Sequence, residues 1–67
     1  MTKTDYIIFR STARRIEHFQ ENNFDKYVII DYVNGIINKV RNCDLCSDEL
    51  LKHLFDMKQK VILGKRV

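Results

Sequence analysis

The sequence predicts an all-α fold, a small three-helix bundle whose helices cover about residues 5–21, 24–41 and 48–63. In each segment, apolar residues recur at spacings of three, four and seven, which is the periodicity of one helix face. The chain also has no proline and only two glycines, whereas turn-rich β proteins need many of both. Its 67 residues form a single domain, 1–67, whose small core would gain from a second copy or a partner.

The first predicted helix, residues 5–21, has a suitable start and a suitable end. Thr2, Thr4 or Asp5 can cap its N-terminus. The asparagine pair at 22–23 can end it, because asparagine tolerates the left-handed backbone that closes a helix. Its apolar row consists of Tyr6, Phe9, Ala13, Ile16 and Phe19.

The second segment, residues 24–41, has two interpretations. Its first half is rich in β-branched and aromatic residues, and Asn34-Gly35 follows, which is a strong signal for a β-hairpin. An α+β fold with a hairpin at 27–41 is therefore the alternative. A hairpin would leave both of its faces mostly apolar, whereas a helix collects the apolar residues on one stripe about 120° wide, so the helix is favoured. That stripe consists of Ile29, Ile30, Val33, Ile36, Ile37 and Val40.

The third predicted helix, residues 48–63, has signals at both ends. Ser47 is a good N-cap, and Asp48 and Glu49 suit the positive end of the helix dipole. Gly64 is placed to end the helix. Its apolar row consists of Leu50, Leu54, Met57 and Val61.

Composition narrows the class of protein. Apolar residues make up 45% and charged residues 31% of the chain, which is typical of a globular domain. The net charge of +3 permits contact with nucleic acid or an acidic protein without requiring either. No apolar run is long enough to span a bilayer, and the N-terminus has no secretory pattern. We therefore expect a cytoplasmic protein without membrane contact.

The pair Cys43 and Cys46 is a C-x-x-C pattern just before a helix start. A zinc site needs four ligands, and neither His18 nor His53 has zinc-finger spacing to this pair. The βαβ unit of thioredoxin-like redox sites is also missing. The cysteines are weak metal candidates, and we expect no cofactor. No nucleophile, base and acid converge in the sequence, so we expect no enzyme activity.

A second apolar row on the second helix provides the main functional prediction. Phe24, Val28 and Tyr32 lie beside the core stripe, and Tyr27 is next to them. A bundle of this size cannot easily bury both rows, although the other two helices could wrap the second helix and cover them. We predict that Phe24, Tyr27, Val28 and Tyr32 bind a protein partner, because exposed aromatic patches mark interfaces.

Basic residues are the candidates for electrostatic steering or for nucleic-acid binding. Nucleic-acid binding is the secondary prediction, because no helix-turn-helix signature is present and acidic residues are interleaved. The candidates are Arg10, Arg14, Arg15, Lys39 and Arg41.

The opening residues 1–6, Met-Thr-Lys-Thr-Asp-Tyr, resemble the start of the Hha/YmoA family of small all-helical nucleoid-protein modulators. Ile16, Glu17 and Phe19, followed by Lys26-Tyr27, are similar to that family's next segment. The resemblance covers residues 1–27. The family's central Ala-Asp-His-Arg run and its Pro/Trp-containing end are missing here, so its partner-binding residues do not carry over.

The turn Asn22-Asn23-Phe24 is similar to the Gly-Asn-Tyr turn of the AraC-negative-regulator family, whose usual tryptophans are missing. Both resemblances imply a regulator of gene expression that binds a nucleoid-associated protein such as H-NS, or a transcription factor. For this chain they imply H-NS modulation and virulence regulation, in a homodimer or a hetero-complex with a regulatory protein. The alternatives are a small basic nucleic-acid-binding protein and a phage or mobile-element inhibitor of a host protein.

Overall fold

The computed structural model describes all 67 residues and confirms the all-α fold. It contains α1 (Lys3–Glu21), α2 (Lys26–Arg41) and α3 (Asp48–Ile62), and no strand. The helices form an elongated bundle of 34 × 17 × 15 Å. Their ends lie within two residues of the predicted ends. None of the helices combines the length and the apolar character needed to cross a membrane.

The alternative hairpin at 27–41 is wrong, because α2 continues without a break through Asn34-Gly35. The helix buries Ile29, Val33, Ile37 and Val40 on one face, which a hairpin would divide between neighbouring strands. Burying such a side chain is worth roughly 1.5–3 kcal/mol, whereas glycine in a helix costs about 1 kcal/mol relative to alanine. Burial of the stripe therefore outweighs the turn preference.

The hydrophobic core lies mainly between α2 and α3. These two helices supply every buried hydrophobic residue except Ile16, which comes from α1. The buried residues of α2 and α3 recur at the predicted helical spacing, so each helix presents a continuous row to the other. The row of α3 consists of Leu50, Leu54, Met57 and Val61.

The helix ends are set by short polar motifs. Thr2 is the N-cap of α1, and its hydroxyl accepts a hydrogen bond from the Asp5 amide at 3.1 Å. Asp25 caps α2 by accepting from the Tyr27 amide at 2.8 Å. The link between α1 and α2 contains Asn23 at φ 57°, and Gly64 follows α3 at φ 76°. The predicted ends at 22–23 and at Gly64 are thus explained by left-handed backbone.

Asp5 joins the N-terminal ends of α1 and α3. Its side chain is fully buried, and Oδ1 accepts from the Ser47 amide at 3.1 Å. Oδ2 accepts from the Ser47 hydroxyl at 2.5 Å and from the Thr2 amide at 3.1 Å. Ser47 does occupy the predicted N-cap position of α3, but its hydroxyl bonds to Asp5 and caps no amide of its own helix. The Ser47 hydroxyl is the main cause that lowers the pKa of Asp5, against the opposing effect of burial.

Gln20 holds the other end of α1. Its side-chain amide donates to the Lys65 carbonyl at 3.0 Å, and its carbonyl accepts from the Val67 amide at 3.3 Å. Between Asp5 and Gln20, Thr12 is buried with its hydroxyl bonded to the Ile8 carbonyl of its own helix. Hydrogen bonds at both ends therefore attach α1 to the rest of the bundle.

Candidate protein-binding surface

Two features lie along the seam between α1 and α2. Near the link that joins these helices, the ring of Phe19 on α1 lies 5.6 Å from the ring of Tyr32 on α2, at an interplanar angle of 80°. Towards the C-terminal end of α2, a separate apolar pocket of about 200 Å³ lies between the two helices and the link that follows α2. Its lining consists of Ile8, Ile36, Lys39, Val40, Cys43 and Cys46. We call the side chains around the ring contact, Phe19, Phe24, Val28 and Tyr32, the aromatic cluster.

Three of the four predicted partner-binding residues, Phe24, Val28 and Tyr32, belong to the aromatic cluster. Phe19 contacts Phe24, with ring centroids 4.9 Å apart, as well as Tyr32. Phe24 is 46% exposed and Val28 is 48% exposed, whereas Tyr32 is half-buried. Neither α1 nor α3 covers these side chains fully. The alternative in which the other helices wrap α2 and cover this row is therefore wrong for Phe24 and Val28.

Tyr27 does not belong to this cluster. It is 67% exposed, and the ammonium group of Lys26 lies 5.6 Å from its ring centre. Neighbouring residues of a helix are about 100° apart around its axis, so Tyr27 and Val28 face different directions. The structure thus brings together Phe24, Val28 and Tyr32, and it places Tyr27 on another face of α2.

Phe19 is the member of the cluster that the sequence interpretation missed. It was placed in the apolar row that faces the core, and it does pack beside that core. A sequence signal was nevertheless available. Phe19 lies in the last turn of α1 and Phe24 in the link before α2, and a link this short brings residues on either side of it together.

The two cysteines form part of the wall of the apolar pocket. Cys43 and Cys46 are free thiols, and both are half-buried. A hydrogen bond between the thiols, together with burial, raises the pKa of Cys46 to about 11. A nucleophilic thiol needs a lowered pKa instead. No group of three or more His, Cys, Asp or Glu side chains is arranged to hold a metal ion. The ring of His53 lies against the ring of Phe9, with centroids 5.3 Å apart and an interplanar angle of 53°.

The predicted basic residues do not form one strip. Arg10, Arg14 and Arg15 are exposed on α1, and none of them takes part in an ion pair. Arg14 and Arg15, with Ser11 and His18, line a shallow polar depression on the outside of that helix. These arginines therefore keep their full charge available to a partner.

Lys39 and Arg41 are separated although they are close in sequence. Lys39 lines the apolar pocket beside Ile36 and Val40. Arg41 lies on the other flank of α2, where its guanidinium group is 5.7 Å from the ring centre of Phe55 on α3. Arg15 and Lys39 therefore line two different depressions.

Comparisons with known proteins provide no further guide to the site. No protein-family model matches the chain, and no curated protein and no solved structure shows significant similarity to it. The resemblance of residues 1–27 to the Hha/YmoA family stays a prediction. The case for a site therefore depends on the exposure of the aromatic cluster and on the unpaired cations of α1.

Proposed function

We propose that this protein is a small cytoplasmic regulator of gene expression that acts by binding another protein. The observation that supports binding is the partly exposed aromatic cluster. Single exposed hydrophobic residues are common on protein surfaces, but adjacent aromatic and aliphatic side chains that remain uncovered are typical of interfaces. Phe24 and Val28 are about half exposed and contact or adjoin Phe19 and Tyr32.

The class of partner is a nucleoid-associated protein or a transcription factor. This part of the proposal rests on the resemblance of residues 1–27 to the Hha/YmoA family and of the turn at 22–24 to the AraC-negative-regulator family. The unpaired cations Arg10, Arg14 and Arg15 would speed the encounter with an acidic partner, because complementary charge mainly raises the association rate.

A double variant with a matched control tests the proposal. Phe24→Ser with Val28→Ser removes the exposed apolar cluster and leaves the buried core intact. Tyr27→Ser is the control, because it removes an even more exposed aromatic residue from a different face. A pull-down from the native host with quantitative mass spectrometry identifies the partner of the wild-type chain. We expect the double variant to lose at least about tenfold in affinity for that protein.

Two results would contradict the proposal. One is retention of the same partner by the double variant with unchanged helix content by circular dichroism. The other is an equal loss with Tyr27→Ser, since that would place the binding surface elsewhere. Loss confined to the double variant supports the cluster as the binding surface, and the known function of the captured protein decides whether regulation of gene expression is correct.

The second candidate function is nucleic-acid binding through the outer face of α1. The specific observation in its favour is that Arg10, Arg14 and Arg15 are exposed and form no ion pair. A complex dominated by phosphate contacts loses affinity steeply with salt, whereas an apolar interface responds weakly. Arg10→Gln with Arg14→Gln should abolish binding of duplex DNA if this function is correct, and Phe24→Ser with Val28→Ser should not.

A further inference from the structure

We propose that Cys43 and Cys46 are a reversible modification site, at which a small disulfide compound oxidises the two thiols to an intramolecular disulfide while the bundle stays folded. They are the only two cysteines of the chain, and both are free thiols in the link between α2 and α3. The pair shares no residue with the aromatic cluster, so its role is separate from the proposed function. Three features support it: the backbone turn of the link, the pocket that both side chains line, and the partial exposure of both residues.

The backbone of the link holds the two cysteines at opposite ends of one turn. The Cys46 amide donates to the Cys43 carbonyl at 3.3 Å. Asp44 and Leu45 occupy the two central positions of this turn. A hydrogen bond from residue i+3 to residue i closes a β-turn, whose end Cα atoms lie within about 7 Å of each other. Disulfides join Cα atoms that are about 4.4–6.8 Å apart, so a disulfide can close across this turn with little movement of the backbone.

The two cysteine side chains lie on the same side of the turn. Cys43 and Cys46 both line the apolar pocket of about 200 Å³, together with Ile8, Ile36 and Val40. A hydrogen bond between the two thiols is the main cause of the raised pKa of Cys46. The sulfur atoms are therefore neighbours in the folded chain, and neither helix has to move for them to be joined.

Oxidation would proceed by two thiol–disulfide exchanges. Both cysteines are half-buried rather than buried, so a small disulfide can reach them. Since the raised pKa of Cys46 keeps its thiol protonated, the Cys43 thiolate attacks the small disulfide first and releases one half of it as a thiolate. Cys46 then loses its proton, and its sulfur attacks Cys43 Sγ and releases the second half. The two released thiolates take up the two cysteine protons, so one protein disulfide forms and the small disulfide is reduced to two thiols.

The disulfide would also restrict the link that holds α1. Ser47 follows Cys46 directly, and its amide donates to Asp5 Oδ1 at 3.1 Å. When α1 opens, the hydrogen bonds between Asp5 and Ser47 break, and the link gains conformational freedom. A disulfide removes part of that freedom from the open state, as it does for an unfolded chain. Oxidation should therefore make local opening of α1 rarer.

Equilibration with mixtures of oxidised and reduced glutathione measures the stability of the disulfide in the full chain. After acid quenching and alkylation of free thiols, mass spectrometry separates the reduced chain, the mixed disulfide and the internal disulfide. We expect the equilibrium constant for the internal disulfide to be at least about tenfold larger in buffer than in urea, because only the folded chain holds the turn. Circular dichroism of the oxidised chain should show unchanged helix content, and dithiothreitol should restore both thiols.

Three variants show whether the two cysteines act as a pair. Cys43→Ser and Cys46→Ser each leave one thiol, so oxidation should stop at the mixed disulfide with glutathione. Leu45→Ala is the matched control, because it changes an exposed side chain of the same turn and keeps both thiols. It should leave the equilibrium constant unchanged.

Amide exchange measures the effect of oxidation on α1. The amides of α1 should exchange several-fold more slowly in the oxidised chain than in the reduced chain. In Asp5→Asn the hydrogen bonds to Ser47 are already weakened, so oxidation should change the exchange of α1 little. Equal slowing in both chains, or no slowing in either, would show that the disulfide does not act on α1 through Ser47.

Other outcomes overturn the modification site itself. Equal equilibrium constants in buffer and in urea would mean that the folded turn does not hold the thiols in position for a disulfide. Accumulation of the mixed disulfide in the wild-type chain, or loss of helix content on oxidation, would mean that the disulfide does not fit the folded link. A disulfide-linked dimer on non-reducing electrophoresis would mean that the cysteines react between two copies of the chain.

Discussion

The α2–α3 pair and α1 are held in the bundle by different kinds of interaction. Between α2 and α3, two apolar rows are buried against each other along the whole length of both helices. The contribution of α1 to the buried hydrophobic core is Ile16, and two of its three buried residues are polar, Asp5 and Thr12. Its ends are attached through the hydrogen bonds of Asp5 with Ser47 and of Gln20 with residues after α3.

The difference explains why the seam between α1 and α2 is packed less closely than the interface between α2 and α3. A helix that is attached by polar groups at its ends need not press its neighbour closely along its length. The α2–α3 interface is filled by large side chains, whereas the α1–α2 seam has an apolar pocket at one end and half-exposed rings at the other. The bundle thus combines a closely packed α2–α3 pair with a less closely packed seam between α1 and α2.

The largest effect is expected from Leu54→Ala. Leu54 is fully buried at the centre of α3. Removing a buried leucine side chain costs about 2–5 kcal/mol, depending on how far the site can collapse. A domain of this size has little stability to spare, so the variant should be largely unfolded at 37 °C. Urea unfolding followed by circular dichroism measures the change. A loss of protection confined to α3 in amide exchange would contradict the idea of one cooperative α2–α3 pair.

A smaller loss of stability is expected from Asp5→Asn, and local opening should be concentrated in α1. The amide lacks the charge that Ser47 and Thr2 stabilise, and its NH2 group cannot accept their hydrogen bonds. The melting temperature should fall by roughly 5–10 °C, since small domains shift by several degrees per lost interaction. Amides of α1 should exchange faster than those of α2 and α3. Asp31→Asn, at an exposed position, is the control and should leave both quantities unchanged.

The stability of the protein in acid tests the same hydrogen bonds between Asp5 and Ser47. Because the folded state lowers the pKa of Asp5 below its ordinary value of 3.8, the charged form stabilises the fold at higher pH. This contribution is complete above about pH 4 and is lost as the pH falls through the lowered pKa. Melting temperatures between pH 7 and pH 2 should therefore show a steeper acid decline for the wild-type chain than for Asp5→Asn. Parallel curves would mean that Asp5 is not the titrating group that holds α1.

The fold could be predicted from the sequence because each helix carries its own apolar period. The stripe that includes Ile29, Val33 and Ile37 is a local pattern, and its burial decides against the hairpin signal of Asn34-Gly35. The hydrogen bonds between Asp5 and Ser47 could not be predicted, because these residues are 42 positions apart and come into contact only in the folded bundle. The row of Val28 and Tyr32 could be predicted from the sequence. The exposure of its side chains could not, because it depends on the distance between α1 and α2 in the folded bundle.

The smallest expected effect is a gain in stability from Gly35→Ala, because the packing of α2 does not require this glycine. Gly35 has helical backbone with negative φ, and a Cβ there would meet nothing within 4 Å. Alanine should therefore raise the free energy of unfolding by about 0.5–1 kcal/mol, since it reduces the backbone freedom of the unfolded chain. Urea unfolding measures the gain, and Gly64→Ala provides the contrast, because its φ of 76° disfavours any side chain. Destabilisation by Gly35→Ala would show that the packed α2–α3 pair itself requires this glycine.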